Sequence, residues 1–385
     1  MMELHDDQQL PMQRLILAGG GHAHLSVLQA LARARAVGVI KNVDLVLVTP
    51  GTHQYYSGML PGWIAGHYTS EQCRIDLQPL AQAAGAHLVQ SAIIKLDAGR
   101  RCATLRDGTQ MTYDLLSLDI GSEMKTSTLQ AASARLLPAK PLERFFELWP
   151  NVMQAAAART NNRLVVVGGG AAGVELALAV RHAWNSAAIT GSIDLVAPSL
   201  LPGHARAVQR RVERCLARAA ITLQRQRTAS TSGSEDGVTL EDGTLLAADC
   251  VIAATGARAP HWLGASALQL DADGYIVVDA HHRSVSHPDV HAGGDVCARQ
   301  DVRMARSGVH AVHAGPVLAA NLLAALQGLA PLQTYMPRQR TLSLLACTDR
   351  HAIASWGNFS VEGDWVWRWK DQIDRSFIAR FSDPN

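Results

Sequence analysis

One sequence pattern occurs twice in this chain, and the repetition constrains the fold more than either copy alone. Residues 163–180, RLVVVGGGAAGVELALAV, pass from an aliphatic run into Gly168, Gly170 and Gly173 and then into an apolar stretch. That is strand, G-x-G-x-x-G, helix. The first glycine permits the tight turn, the second lets a pyrophosphate approach the backbone, and the third lets helix pack on strand. The helix N-terminus then offers free N–H groups and a partial positive charge to phosphates. Residues 14–34, RLILAGGGHAHLSVLQALARA, run parallel to residues 163–183. VDLVLVTP, from Val43, parallels IDLVAPSL, from Ile193. LRDGTQMTYDLLSLDIGS, ending at Ser122, parallels LEDGTLLAADCVIAATGA, ending at Ala257. Three landmarks in one order at nearly equal separations describe a duplicated dinucleotide-binding unit, and two units imply two dinucleotides.

A chain of 385 residues is long enough for two or three domains with their own cores. Its 48% hydrophobic and 18% charged residues describe a globular α/β protein rather than a disordered or fibrous one. A formal net charge of +2 makes no case for a nucleic-acid partner. The opening residues, MMELHDDQQLPMQ, are acidic and lack the apolar core of an export signal. No segment is expected to span a bilayer, for want of a run of about 18 wholly apolar residues. The expectation is a cytoplasmic protein whose six cysteines (Cys73, Cys102, Cys215, Cys250, Cys297, Cys347) are reduced and mostly structural. No metal site is expected.

In the first unit the third glycine position is His24, and the following strand ends in Val48-Thr49-Pro50, where a carboxylate for the adenosine ribose is expected. Thr49 or backbone groups can take that ribose instead. His22 and His24 each have two readings: contact with phosphate or flavin, or a packed, hydrogen-bonded ring. Residues 52–68, THQYYSGMLPGWIAGHY, fit neither helical nor strand period and are expected to form an ordered functional loop. Residues 77–84 read as a helix, residues 92–96, 103–105 and 115–120 as strands, and residues 142–158 as a crossover helix.

In the second unit Glu175 stands two residues after the last loop glycine. A carboxylate there could accept a hydrogen bond from a nicotinamide or relay a proton; the alternative is an acid favoured by the helix dipole. Ala197-Pro198-Ser199 lacks the acid that selects NADH, and the nearby His204, Arg206, Arg210 and Arg211 leave a 2′-phosphate open. Residues 230–236 read as a polar hairpin tip. Residues 290–293 read as a strand ending at Gly294-Asp295, and residues 308–326 as a helix. An acid at that strand end suits a ribityl hydroxyl, and the helix dipole would stabilise charge at a flavin ring edge.

Together these features resemble the pyridine nucleotide–disulfide oxidoreductase superfamily. GGGHAHLSVL, YYSGMLPGWIAGHY, RIDL, AGGDVC, GVHAVHAGPVLAANL and WKDQIDRSFIARF are similar to one branch of it. That branch comprises the FAD-dependent oxidoreductases found beside, or fused in front of, selenophosphate synthetase. Type II NADH dehydrogenases and sulfide:quinone oxidoreductases are more distant likenesses. The resemblance implies an α/β fold of two Rossmann-like domains. FAD would occupy residues 1–125 and 262–330, NAD(P)H an inserted domain of residues 126–261, and residues 331–385 a small C-terminal segment.

Carried over residue by residue, FAD would lie on Gly19, Gly20, Gly21, His22, Ala23 and His24. Thr49, Pro50, Ile93, Gly121, Gly294, His310 and Ala311 would line the site. Asp295 would hold the ribityl chain, and Tyr56, Ser57, Gly58 and Met59 would lie near the ring. NAD(P)H would lie on Gly168, Gly170, Ala171, Ala172, Gly173, Ala197, Thr255 and Gly256, with Glu175 near the nicotinamide.

Disulfide reductases of this plan carry a redox cysteine pair shortly after the first unit; this chain has only Cys73 there. Cys297, two residues after Asp295, is an alternative redox thiol, with Cys347 as its partner. Residues 365–381 read as a helix with Val366, Trp369, Ile373, Phe377 and Phe381 on one face. It either docks on the FAD domain, its tryptophans covering the flavin, or lies on the inner face of the cytoplasmic membrane as a peripheral contact. The expectation is an FAD-dependent NAD(P)H oxidoreductase, similar to type II NADH dehydrogenases, that reduces a quinone-like small acceptor. The alternatives are a flavoprotein acting on sulfur or selenium compounds, and a flavin-binding partner of selenophosphate synthetase.

Overall fold

The computed structural model describes residues 12–129, 136–225, 229–230, 237–304, 306, 308–338, 340–347 and 349–382. Its α-helices are α1 (His22–Ala36), α2 (Leu60–Ile64), α3 (Leu77–Ala84), α4 (Leu142–Ala157), α5 (Ala171–Ser186), α6 (Arg206–Arg218), α7 (Gly308–Leu326) and α8 (Asp364–Ser382). The hairpin tip expected at residues 230–236 lies, beyond Ser230, outside the described residues.

Two five-stranded parallel sheets carry the duplication. In the first, strands run in the order Val290–Ala292, Leu115–Leu118, Gln13–Ala18, Val43–Thr49, Ala86–Gln90. In the second the order is Leu136–Pro138, Cys250–Ala253, Asn162–Val167, Gly191–Ala197, Ile221–Arg225. Each central strand leads into a glycine loop, as a strand of continuous β-branched and aliphatic residues buried on both faces should. Alternation decides which side chain meets which layer. Leu15 and Leu17 pack on α1, α3 and α7, while Ile16 and Ala18 face a layer built from residues such as Leu96, Leu105 and Tyr275. Leu164 and Val166 likewise face α4, α5 and α6, and Val165 and Val167 face Val238 and Leu240.

The equivalence extends to single hydrogen bonds. Asp114 accepts the Arg14 amide at 2.7 Å, as Asp249 accepts that of Arg163 at 2.9 Å. The Gly19 amide donates to the Val48 carbonyl at 2.7 Å, and Gly168 to Val196 at 2.9 Å.

Residues 52–68 are more regular than the sequence suggests. Strand His53–Tyr55 pairs with Arg74–Asp76, and α2 begins with Pro61 in its first turn. The C-terminal segment forms an antiparallel sheet, Ser343–Cys347, His351–Trp356 and Phe359–Gly363, with α8 laid on Ala352 and Ala354.

Candidate functional site

The first glycine loop is closed around a carboxylate. Asp119, at the end of strand Leu115–Leu118, accepts the amides of Ala23 (2.7 Å) and His24 (3.0 Å) at the start of α1. A Cβ added to Gly21 would stand 2.3 Å from Asp119 Cγ, and one added to Gly294 only 2.4 Å from its Oδ1. Burial raises the Asp119 carboxyl to about 6, against the pull of those two amides and of His22. Among the described residues His22 Nε2 is buried without a hydrogen-bond partner, a donor or acceptor left for a ligand. A cradle that only glycine fits, beside an orphaned buried nitrogen, suits a pyrophosphate.

Two expected contacts change here. His24 is fully buried, its Nδ1 2.6 Å from the Gly19 carbonyl and its Nε2 2.9 Å from Ser117 Oγ. A carbonyl can only accept, so Nδ1 carries the proton and Nε2 accepts the Ser117 hydroxyl. Burial lowers its pKa to about 4, so it is a neutral packing group rather than a phosphate ligand. The Ala23 amide is likewise taken by Asp119.

Asp295 is where an acid for the ribityl chain was expected, and it has a partner that sequence reasoning missed. Lys140 Nζ lies 2.7 Å from Asp295 Oδ2 and 3.3 Å from Ser122 Oγ. Lys140 precedes α4, 155 residues from Asp295, so no local pattern joins them. Gly121 adopts φ +71°, the left-handed turn that brings Ser122 to this pair. Ala311 abuts Gly294, but His310 is bound by the Tyr335 hydroxyl at 2.8 Å, and Ile93 is a core side chain beside Val46 and Val48. These two line the protein interior, not the loop. Thr49 is buried and Pro50 exposed at the strand end.

Tyr56 to Met59 meet the C-terminal helix. Tyr56 stacks on Phe377 with ring centroids 4.6 Å apart, and its hydroxyl is hydrogen-bonded to Asp374. Lys370 Nζ donates to the Gly58 carbonyl and to Asp374 Oδ2, both at 2.6 Å. The helix docks, but not on the expected face. Val366, Lys370, Asp374, Phe377 and Phe381 point inward, at spacings of four, four, three and four. Trp369 and Ile373 therefore fall on the next stripe with Trp365, and these three are 40%, 41% and 55% exposed. Of the three tryptophans of α8 only Trp367 turns inward, partly buried against His67.

The second loop is more open. Among the described residues no atom lies within 4 Å of a Cβ added to Gly170, and Ala171 and Ala172 border solvent. Gly173 is obligatory, because its Cβ would stand 1.8 Å from the Gly168 carbonyl oxygen. Ala197 is buried below the loop, while the Thr255 hydroxyl and the Gly256 carbonyl are both engaged with Lys125. Glu175 Oε1 accepts the Ala346 amide at 2.7 Å. Enclosure by protein raises its carboxyl to about 7 despite nearby Lys370. It borders a small cavity lined also by His67, Cys347 and Trp367.

Cys297, the alternative redox thiol, lacks the surroundings that would activate it. It is buried, donates to the Gly294 carbonyl at 3.5 Å, and burial pushes it up to about 12. Cys347 is also buried, its thiol donating to the Leu345 carbonyl at 3.8 Å, and the neighbouring Cys215 together with burial raises its pKa. Among the described residues no cluster of His, Cys, Asp or Glu suits a metal ion. A cavity of about 450 Å³ opens under α4 at the far end of the second sheet, beside Arg163 and Asp249.

Comparison with known families matches residues 13–315 to pyridine nucleotide-disulphide oxidoreductases. The chain belongs to that family. Membership brings FAD and NAD(P)H as cofactors, and the two loops fit them. A probable ferredoxin reductase of Castellaniella defragrans is 26% identical over 291 residues, 74% of this chain and 68% of its own. The sulfide:quinone oxidoreductase of Aquifex aeolicus superposes with a TM-score of 0.78 at 14% identity, over 97% of this chain and 92% of that one. Putidaredoxin reductase, in its complex with putidaredoxin, gives 0.71 at 21%, covering 90% and 82%.

Proposed function

We propose that this NAD(P)H-dependent flavoprotein reduces a small quinone-like acceptor directly, with no enzyme dithiol between flavin and acceptor. FAD, when bound, supplies the chemistry, taking two electrons from NAD(P)H and releasing them to the acceptor. The chain binds, orients and shields. Gly19 to His22 would hold the FAD pyrophosphate, and Asp295 with Lys140 the ribityl region. Glu175, with its carboxyl near neutrality, is able to hold or release a proton at pH 7.

The observation that carries this reading is the state of the nearby thiols. Cys73 and Cys297 are both buried and both pushed up to about 12, so neither is a thiolate at neutral pH. The exposed stripe of Trp365, Trp369 and Ile373, with Arg368 and Arg380 exposed beside it, suits an apolar acceptor met at a membrane surface. We accordingly propose peripheral contact with the cytoplasmic face of the membrane.

A second reading has one observation in its favour. Cys347 lines the cavity beside Glu175, which suits chemistry on sulfur or selenium compounds.

Anaerobic titration of the flavin absorbance with NADH and with NADPH tests both. Bleaching by either, then recovery on adding a soluble ubiquinone analogue, is the expected result, unchanged in Cys347→Ser. Recovery only with a ferredoxin, the partner class named for the Castellaniella relative, would overturn the quinone assignment. Loss of turnover in Cys347→Ser would favour the sulfur reading.

A further inference from the structure

The first unit lacks an acid where its second strand ends, yet a carboxylate stands beside that place. Gly51 follows the strand Val43–Thr49 by two residues and is buried. A Cβ added to it would lie 2.1 Å from Glu143 Oε1, a carboxylate 92 residues later in the chain. Glu143 is in the first turn of α4, three residues after Lys140. The same short connection therefore carries Lys140 to Asp295 and Glu143 to the strand end.

Among the described residues Glu143 has no hydrogen bond or ion pair, although it is half-buried. Burial, and Glu147 on the next turn, raise its pKa. A half-buried carboxylate without protein donors keeps its acceptor positions open to water or to a ligand. The groups that fit are two hydroxyls on adjacent carbons, which a carboxylate accepts with its two oxygens. An acid at the end of this strand accepts the hydroxyls of an adenosine ribose in such folds.

We propose that Glu143, reaching over from the first turn of α4, supplies the ribose-binding carboxylate missing from the strand end and accepts the vicinal hydroxyls of the FAD adenosine. This rests on the first unit being the FAD site. Because α4 opens the second unit's layer of helices, FAD bound in this way would tie the two dinucleotide units together through its adenosine half.

The test compares dissociation of FAD with that of an FAD analogue carrying 2′-deoxyadenosine, in wild type, Glu143→Gln and Glu143→Ala. Wild type should prefer FAD by roughly tenfold or more, the scale of a hydrogen bond to a charged group. Both variants should bind FAD more weakly and lose most of that preference. The ratio within each variant is insensitive to a general loss of stability, and Glu143→Gln keeps the side-chain volume should the alanine variant fold poorly. A preference retained in Glu143→Gln would overturn the proposal. A wild-type chain that binds neither compound would overturn the FAD assignment, and the proposal with it.

Discussion

Between Gly168 and the start of α5, the second unit leaves no room for a Cβ at position 173. At the equivalent place in the first unit, the Gly19 carbonyl instead receives the Nδ1 proton of His24. The neighbours differ to match. Ser117 and Asp119 flank His24, whereas their counterparts Ile252 and Ala254 are apolar. A glycine closes one loop by contact; a hydrogen-bonded trio closes the other by polar chemistry. Both keep helix and strand in register, so the fingerprint's third glycine records a packing requirement, not a requirement of the phosphate. Ser26 and Glu175 show the same divergence two residues later: the serine is buried under Gly315, and the acid faces a cavity.

Converting the first loop to the second's residue should have the largest effect. His24→Gly removes a fully buried ring and strands the Gly19 carbonyl and the Ser117 hydroxyl. A loss of about 3–5 kcal/mol is expected, the range for large-to-small core substitutions. It would be read from the denaturant midpoint and from the flavin content of purified protein. A variant of near wild-type stability would show that the trio is dispensable.

Asp119→Asn probes the trio's charge. The folded pKa of about 6 lies above the ordinary 3.8, so burial favours the protonated form. That contribution is fully present below pH 4 and is lost as pH rises through 6. Wild type should therefore lose stability relative to the asparagine variant by about 1.4 kcal/mol per pH unit within that window, and no further above it. Parallel stability curves for the two proteins from pH 4 to 7 would contradict the assignment. His24, lowered to about 4 from 6.5, acts in the opposite sense, losing stability as pH falls from 6.5 toward 4.

In the second loop, Gly173→Ala places a methyl against the Gly168 carbonyl. Overpacking of this kind costs about 1–3 kcal/mol. NAD(P)H affinity should fall at least about tenfold while flavin content stays normal. Equal loss of both cofactors would mean that the units do not bind separately.

The duplication was legible in the sequence because each landmark is local: a strand, three glycines and a turn lie within some twenty residues. The site around Lys140, Asp295, Lys370 and Asp374 was not. Lys140 reaches Asp295 from 155 residues away, and Lys370 reaches Gly58 from 312. The docked face of α8 was misread for a related reason. Its inward stripe includes the buried Lys370–Asp374 pair, so an apolar periodicity rotates the helix toward Trp369 and Ile373. Hydrophobic pattern cannot mark a face that is buried through an ion pair.

The smallest predicted effect is the control for the whole comparison. Asp114 and Asp249 hold the amides of Arg14 and Arg163, at the same point of each repeat. Neither touches a glycine loop, so truncation should weaken the two units alike, by about 0.5–1.5 kcal/mol for one hydrogen bond each. Asp249 also meets Arg159 at 3.5 Å and Arg163 at 3.9 Å, but both arginines are more than half exposed and add little. Asp114→Ala and Asp249→Ala should therefore differ by a few tenths of a kcal/mol in equilibrium denaturation. A larger gap would mean that the repeats have diverged in their framework, and the contrast between His24 and Gly173 could no longer be read as one local solution exchanged for another.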